Sequence, residues 1–99
     1  MRSHYSYYAN YALRRYFANM VRFSTYRSEA EEQNWLCADR VVSDLDERSR
    51  DLLKEVFEGR DTLSDLIYEV AKAHHIDQND LWTLLASVEK RFAQERGLI

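Results

Sequence analysis

The sequence predicts an all-α protein: a compact bundle of about five helices with a C-terminal helix-turn-helix. Proline is absent and Gly59 and Gly97 are the only glycines, so few residues suit the tight turns of an all-β fold. Hydrophobic residues make up 45% of the chain and charged residues 31%, which is typical of a globular domain. Apolar residues recur at three- and four-residue steps along most of the 99 residues, and this is the spacing of amphipathic helices.

Two helices are predicted in the first part of the chain. Helix one is expected from Tyr5 to Phe23, and its predicted buried stripe consists of Tyr5, Tyr8, Ala9, Ala12, Leu13, Tyr16, Phe17, Met20 and Val21. Ser28 followed by Glu31 has the spacing of a capping box and predicts the start of a second helix. That helix is expected from Glu29 to Val42, with Trp35, Ala38, Val41 and Val42 on its buried side.

Three further helices are predicted in the second part. Helix three follows residues 43–46 and ends at Gly59, where a left-handed cap is expected. Thr62 with Asp65 begins helix four, and Asp77 caps helix five, which ends at Gly97. Their predicted inward residues are Leu45, Leu52, Leu53, Val56 and Phe57, then Leu63, Leu66, Ile67, Val70 and Ala71, then Leu81, Leu84, Leu85, Val88 and Phe92.

Residues 1–99 are expected to form a single helical domain whose charge is unevenly distributed. Residues 1–27 contain five arginines, no acid and six of the seven tyrosines, whereas residues 28–61 contain eleven acids against five bases. The sequence therefore divides into Tyr/Arg-rich N-terminal helices over residues 1–43 and a helix-turn-helix-like region over residues 44–99.

The apolar spacing of residues 70–84 fits two short helices that cross through a tight turn, with His75 at the turn position. Residues 45–53 are similar to the opening helix of region four of bacterial sigma factors, residues 63–74 to its support helix, and the residues from Gln78 onward to its recognition helix. The last half of the chain thus resembles this region and the small sigma-like regulators of phages and mobile elements. The resemblance implies a non-enzymatic regulator that binds double-stranded DNA and acts in transcription.

Seven residues are the candidates for DNA contact. We expect Gln78, Asn79 and Thr83 to bond base edges and Trp82 to pack near the DNA backbone. The candidates for phosphate contact are Lys72, Lys90 and Arg91. Asp77 and Asp80 would repel DNA, although both suit the first turn of a helix. The alternative is that the same corner binds protein, with Trp82 as an exposed anchor.

A second class of function is an acidic inhibitor or adaptor of phage or mobile-element origin that blocks a host nucleoprotein, as some anti-CRISPR proteins do. Its candidate contacts are the Tyr/Arg residues Tyr7, Tyr11, Arg14 and Arg15 and the acidic residues Glu29, Glu31, Glu32, Asp44, Asp46 and Glu47. The acids would mimic phosphates. The Tyr/Arg group would pack in a protein interface or stack on single-stranded bases, and a homodimer is another candidate.

The sequence predicts no catalytic, metal or cofactor site. His74 and His75 are adjacent and point apart on a helix, and the lone Cys37 is expected to be a small buried residue. With one cysteine and no long apolar stretch, the chain is expected to be cytoplasmic and not bound to a membrane.

Overall fold

The computed structural model describes residues 4–18 and 28–99, and these residues form five helices and no strand. The helices are α1 (Ser6–Ala18), α2 (Glu29–Ser43), α3 (Glu47–Glu58), α4 (Leu63–His74) and α5 (Gln78–Arg96). The predicted all-α class is therefore confirmed. Helix one was expected to reach Phe23, and the part of that prediction beyond Ala18 lies outside the described residues, as do Met20 and Val21.

Short side chains cap four of the helices at their first turn. Ser28 Oγ accepts the backbone N–H of Glu31 at 3.2 Å, and Asp46 Oδ2 accepts that of Ser49 at 3.2 Å. Thr62 and Asp77 cap α4 and α5 in the same way. Because each cap satisfies a backbone donor that the helix itself leaves unpaired, the starts of α2, α3, α4 and α5 are fixed by local sequence, as predicted.

Helices α1 and α5 lie at the centre of the helix packing. Helix α1 packs against α2, α3 and α5, while α5 packs against α1, α2 and α4, and α3 packs against α4. Side chains from all five helices meet in one core. Its most completely buried members include Ala9, Leu13, Ala38, Val41, Leu53, Val56, Ile67, Leu85, Val88 and Phe92.

Gly59 corrects one prediction about a helix end. Its φ is −74° and its ψ is 162°, so the expected left-handed cap is wrong and the backbone there is extended. Glycine suits this position for a different reason: a Cβ here would overlap the end of the Leu66 side chain. The absent side chain therefore leaves room for Leu66 of α4, which would have to shift to accept a Cβ at this position. Gly97, with φ of 79°, does end α5 in the left-handed conformation.

Two aromatic residues of the predicted α1 stripe lie at its edge. Tyr8 is 39% exposed, because its ring lies beside Phe92 at the rim of the core and its hydroxyl points to α2. Tyr5 is half-buried. The buried stripe of α1 is therefore narrower than predicted and consists of Ser6, Ala9, Ala12, Leu13, Tyr16 and Phe17.

Candidate functional site

A three-residue corner joins α4 to α5. His75 is in the left-handed region with φ of 56° and ψ of 41°, and the N–H of Ile76 donates to Ala71 O at 3.0 Å. Ile76 packs partly buried against the core, and Asp77 Oδ1 accepts the N–H of Asn79 at 2.8 Å. These contacts fix both the end of α4 and the start of α5, so the direction of α5 is set by backbone hydrogen bonds and one apolar anchor.

One side of α5 exposes a row of polar side chains. Asn79, Thr83 and Lys90 are all exposed, and their spacings of four and seven residues place them on one side of the helix. Gln78 is exposed in the first turn, and Ala86 and Ser87 are exposed within the row. This polar row, defined by Asn79, Thr83 and Lys90, offers an amide, a hydroxyl and an ammonium group to solvent.

Three other predicted DNA contacts do not join the polar row. Trp82 is half-buried and packs partly against the core, so its ring is less exposed than an interface anchor would be. Arg91 is turned about 100° from Lys90 around the helix, and its Nη2 donates to Asp44 Oδ2 at 2.8 Å. Lys72 lies on α4, with Nζ 5.9 Å from the ring centre of Tyr68.

The Tyr/Arg residues of α1 do lie together. Tyr7 is 79% exposed and Tyr11 is 53% exposed. The guanidinium of Arg15 lies 5.7 Å from the ring centre of Tyr11 and pairs with Glu31 at 3.3 Å. Arg14 Nη1 donates to Gly59 O at 3.3 Å, and its guanidinium lies 5.8 Å from the ring centre of Phe57. We call Tyr7, Tyr11, Arg14 and Arg15 the tyrosine–arginine face.

Half of the candidate acidic contacts already have partners within the chain. Glu31 pairs with Arg15, and Asp44 pairs with Arg91. Asp46 caps α3, and the hydrogen bonds from Ser49 hold the pKa of its carboxyl below the usual value. The exposed residues Glu29, Glu32 and Glu47 complete the set.

Glu47 also lines an open depression of about 310 Å³ between α3 and the end of α4. Its other lining residues are Arg48, Asp51, Leu52 and His74. Beside it, His74 Nε2 lies 2.6 Å from Glu55 Oε2, and both side chains are exposed. In the described ranges, no three His, Cys, Asp or Glu side chains are grouped so that they could hold a metal ion.

Three polar residues inside the bundle escaped the sequence prediction. Asn34 is buried, and its Oδ1 accepts from Tyr8 Oη at 3.1 Å and from Arg96 Nε at 2.8 Å. Glu89 is 2% exposed on α5, and Ser6 is buried on α1. Spacing could have revealed the first two, because Asn34 stands four residues before Ala38 and Glu89 four residues after Leu85, each within its helix's apolar stripe.

A further polar contact ties α1 to α2. The hydroxyl of Tyr16, a buried side chain, donates to Asp39 Oδ1 at 2.8 Å. Burial and the neighbouring carboxylate raise the pKa of Tyr16 above its ordinary value, so the phenol holds its proton more firmly than an exposed tyrosine.

Within the part of the chain that the structure describes, no helix combines the length and the apolar character that crossing a membrane requires. Comparison with protein-family models, with curated proteins and with solved structures gives no match for this chain.

Proposed function

We propose that the protein is a small non-enzymatic regulator linked to transcription that binds double-stranded DNA, with α4 and α5 as a helix-turn-helix and α5 in the major groove. The polar row of Asn79, Thr83 and Lys90, directly after the left-handed corner at His75, carries the proposal. Amide and hydroxyl groups hydrogen-bond to base edges, whereas a lysine ammonium contacts phosphate. The row thus contains the groups needed for both kinds of contact.

The charges around α5 predict that electrostatic attraction contributes little to the affinity for DNA. Asp80 is exposed near the start of α5, and the carboxylate of Asp77 is occupied as the cap of that helix. On α4 and α5, the exposed lysines at positions 72 and 90 can contact phosphate, whereas Arg91 pairs with Asp44. We therefore expect a salt dependence of about −2 in log K against log salt, and selectivity from base contacts.

The test is selection of binding sites from a randomised double-stranded DNA library, followed by titration of the enriched site at several salt concentrations. Asn79→Ala and Thr83→Ala are expected to relax the base preference, each by about 1–3 kcal/mol at one position. Lys90→Ala is expected to weaken binding to every sequence and to reduce the salt slope by about one. Gln33→Ala, which removes an exposed amide from α2, is the matched control.

Two results would contradict the proposal. One is selection that enriches no sequence at any salt concentration. The other is a base preference that Asn79→Ala and Thr83→Ala leave unchanged, because the polar row would then have no part in recognition.

A second candidate function is inhibition of a host nucleoprotein, and the exposed side of α3 favours it. Glu47 and Asp51 are both exposed and stand one helical turn apart, and Glu55, whose carboxylate meets His74, follows one turn later. Such a row offers regularly spaced negative charge to a basic nucleic-acid channel, as a phosphate backbone does.

Charge reversal separates this candidate from DNA regulation. Glu47→Lys with Asp51→Lys is expected to abolish nuclease-resistant capture of a nucleic-acid-binding protein from a bacterial lysate, while thermal stability stays nearly unchanged. Glu69→Lys, an exposed acid on α4, is the control. Capture that survives the double reversal would exclude the α3 row as the contact.

A further inference from the structure

On the exposed side of α1, tyrosines before Tyr11 and arginines after it are placed symmetrically, at equal distances from Tyr11. Tyr7 lies four residues before Tyr11 and Arg15 lies four residues after it. Tyr8 and Arg14 stand three residues away on either side. An aromatic ring on one side of the centre is therefore matched by a guanidinium at the same distance on the other side.

This symmetry suits an antiparallel pair of α1 helices that cross at Tyr11. In such a pair Tyr7 of each copy opposes Arg15 of the other copy, and the two Tyr11 rings meet at the two-fold axis. Guanidinium groups stack favourably on aromatic rings, and two tyrosine rings pack in offset or edge-to-face contact. One surface is thus complementary to itself, which is the requirement for an isologous dimer.

Contacts within one chain prepare the arginines for this role. Glu31 partly neutralises Arg15, and Tyr11 supports its guanidinium. Arg14 is held by Gly59 O and lies near the Phe57 ring. Side chains that are already positioned lose less conformational entropy on association. In this register each arginine opposes a tyrosine, so like charges are not placed directly against each other.

We propose that two copies of this protein associate through the tyrosine–arginine face, with their α1 helices antiparallel and crossing at Tyr11. Tyrosine and arginine dominate the energetic centres of protein interfaces, and Tyr7 and Tyr11 are exposed without a packing role in their own chain's core. A contact between two single helices is small, so we expect a reversible dimer.

Disulfide trapping tests the register directly. Cys37 is buried, so the experiment uses the full chain with Cys37→Ser as background. Tyr11→Cys is expected to give a disulfide-linked dimer on mild oxidation, because residues at the crossing point lie within the reach of a disulfide. Tyr7→Cys and Arg15→Cys are each expected to cross-link poorly alone and well when mixed. Tyr68→Cys, an exposed tyrosine on α4, is the control.

Sedimentation equilibrium of the unmodified protein gives the affinity. Tyr7→Ala combined with Tyr11→Ala is expected to weaken dimerisation about tenfold or more, whereas Tyr68→Ala leaves it unchanged. Thermal melts of the variants confirm folding, since both substitutions are on exposed positions. A monomer at every concentration overturns the proposal. So does a dimer that tolerates the double substitution, or equal cross-linking through Tyr68→Cys.

Discussion

Helices α1, α2 and α5 are held together by different kinds of contact from those of α3 and α4. The buried polar residues Ser6, Asn34 and Glu89 lie on α1, α2 and α5. Every buried residue of α3 and α4, in contrast, is apolar. Hydrogen bonds demand a particular distance and direction, whereas apolar side chains accept several packings of similar energy. We therefore expect the register of α1 and α2 on α5 to be fixed more strictly than that of α3 and α4.

This difference bears on both proposed surfaces. The tyrosine–arginine face belongs to α1, whose neighbour α2 is tied to it by the bonds Tyr8–Asn34 and Tyr16–Asp39. The polar row of α5 is oriented by the corner at His75, where an apolar anchor and backbone bonds act together. Substitutions of the buried polar residues between α1, α2 and α5 should therefore lower stability. Substitutions at the two exposed surfaces should weaken binding without lowering stability.

The largest effect on stability is expected from Asn34→Ala. The change removes the acceptor of Tyr8 and Arg96, and it opens a small space in the junction of α1, α2 and α5. We expect the free energy of unfolding to fall by about 1–3 kcal/mol in urea titrations. Gln33→Ala, which removes an exposed amide from the same helix, should change it by less than about 0.5 kcal/mol. Equal losses in the two variants would show that the buried amide does not tie the helices.

A smaller effect is expected from Tyr16→Phe, which removes the hydroxyl that donates to Asp39. The loss at neutral pH is expected to be about 0.5–1.5 kcal/mol. Because folding raises the pKa of Tyr16, the stabilisation is present in full below the unfolded pKa of about 10. It is lost as the pH rises above that value, since the unfolded chain ionises first.

The measurement compares urea titrations of the wild type and Tyr16→Phe at about pH 8 and about pH 10.5. The difference in unfolding free energy between the two proteins is expected to narrow at the higher pH. Tyr68→Phe, an exposed tyrosine, should show neither the loss nor the narrowing. A difference that grows with pH would reverse the sign and contradict the raised pKa.

The same contrast explains how far the sequence predicts the structure. The stripes of α3 and α4 were predicted well because every buried residue there is apolar, and Thr62 and Asp77 give strong local signals for the starts of α4 and α5. Asn34 and Glu89 were missed because polarity alone places such residues outside. Whether they are inside depends on which partners the other helices bring, and that is a property of tertiary structure.

Of the candidate sites, the tyrosine–arginine face was the most predictable. Helical spacing alone separates Tyr7, Tyr11 and Arg15 from the buried stripe of α1. The pairing of Arg91 with Asp44 was not predictable, because the two residues are far apart in sequence and their contact depends on how α2 packs on α5.

The smallest effect on stability is expected from Arg91→Ala. The pair with Asp44 is largely exposed, with side-chain exposures of 38% and 61%, so water screens it. Arg91→Ala and Asp44→Ala are each expected to lower the free energy of unfolding by about 0–1 kcal/mol. A double-mutant cycle of the two substitutions measures their coupling energy, which is expected in the same range. A coupling energy well above this range would show that the pair anchors α2 on α5.

Because the pair contributes little to folding, it offers a clean test of whether Arg91 meets DNA. A phosphate that binds Arg91 must compete with Asp44 for the same guanidinium. If Arg91 does contact phosphate, Asp44→Ala should tighten DNA binding and Arg91→Ala should weaken it. Asp61→Ala, which removes an exposed acid elsewhere, controls for the change in net charge. An effect of Asp44→Ala no larger than that of Asp61→Ala would remove Arg91 from the interface and leave the polar row of α5 as the proposed contact.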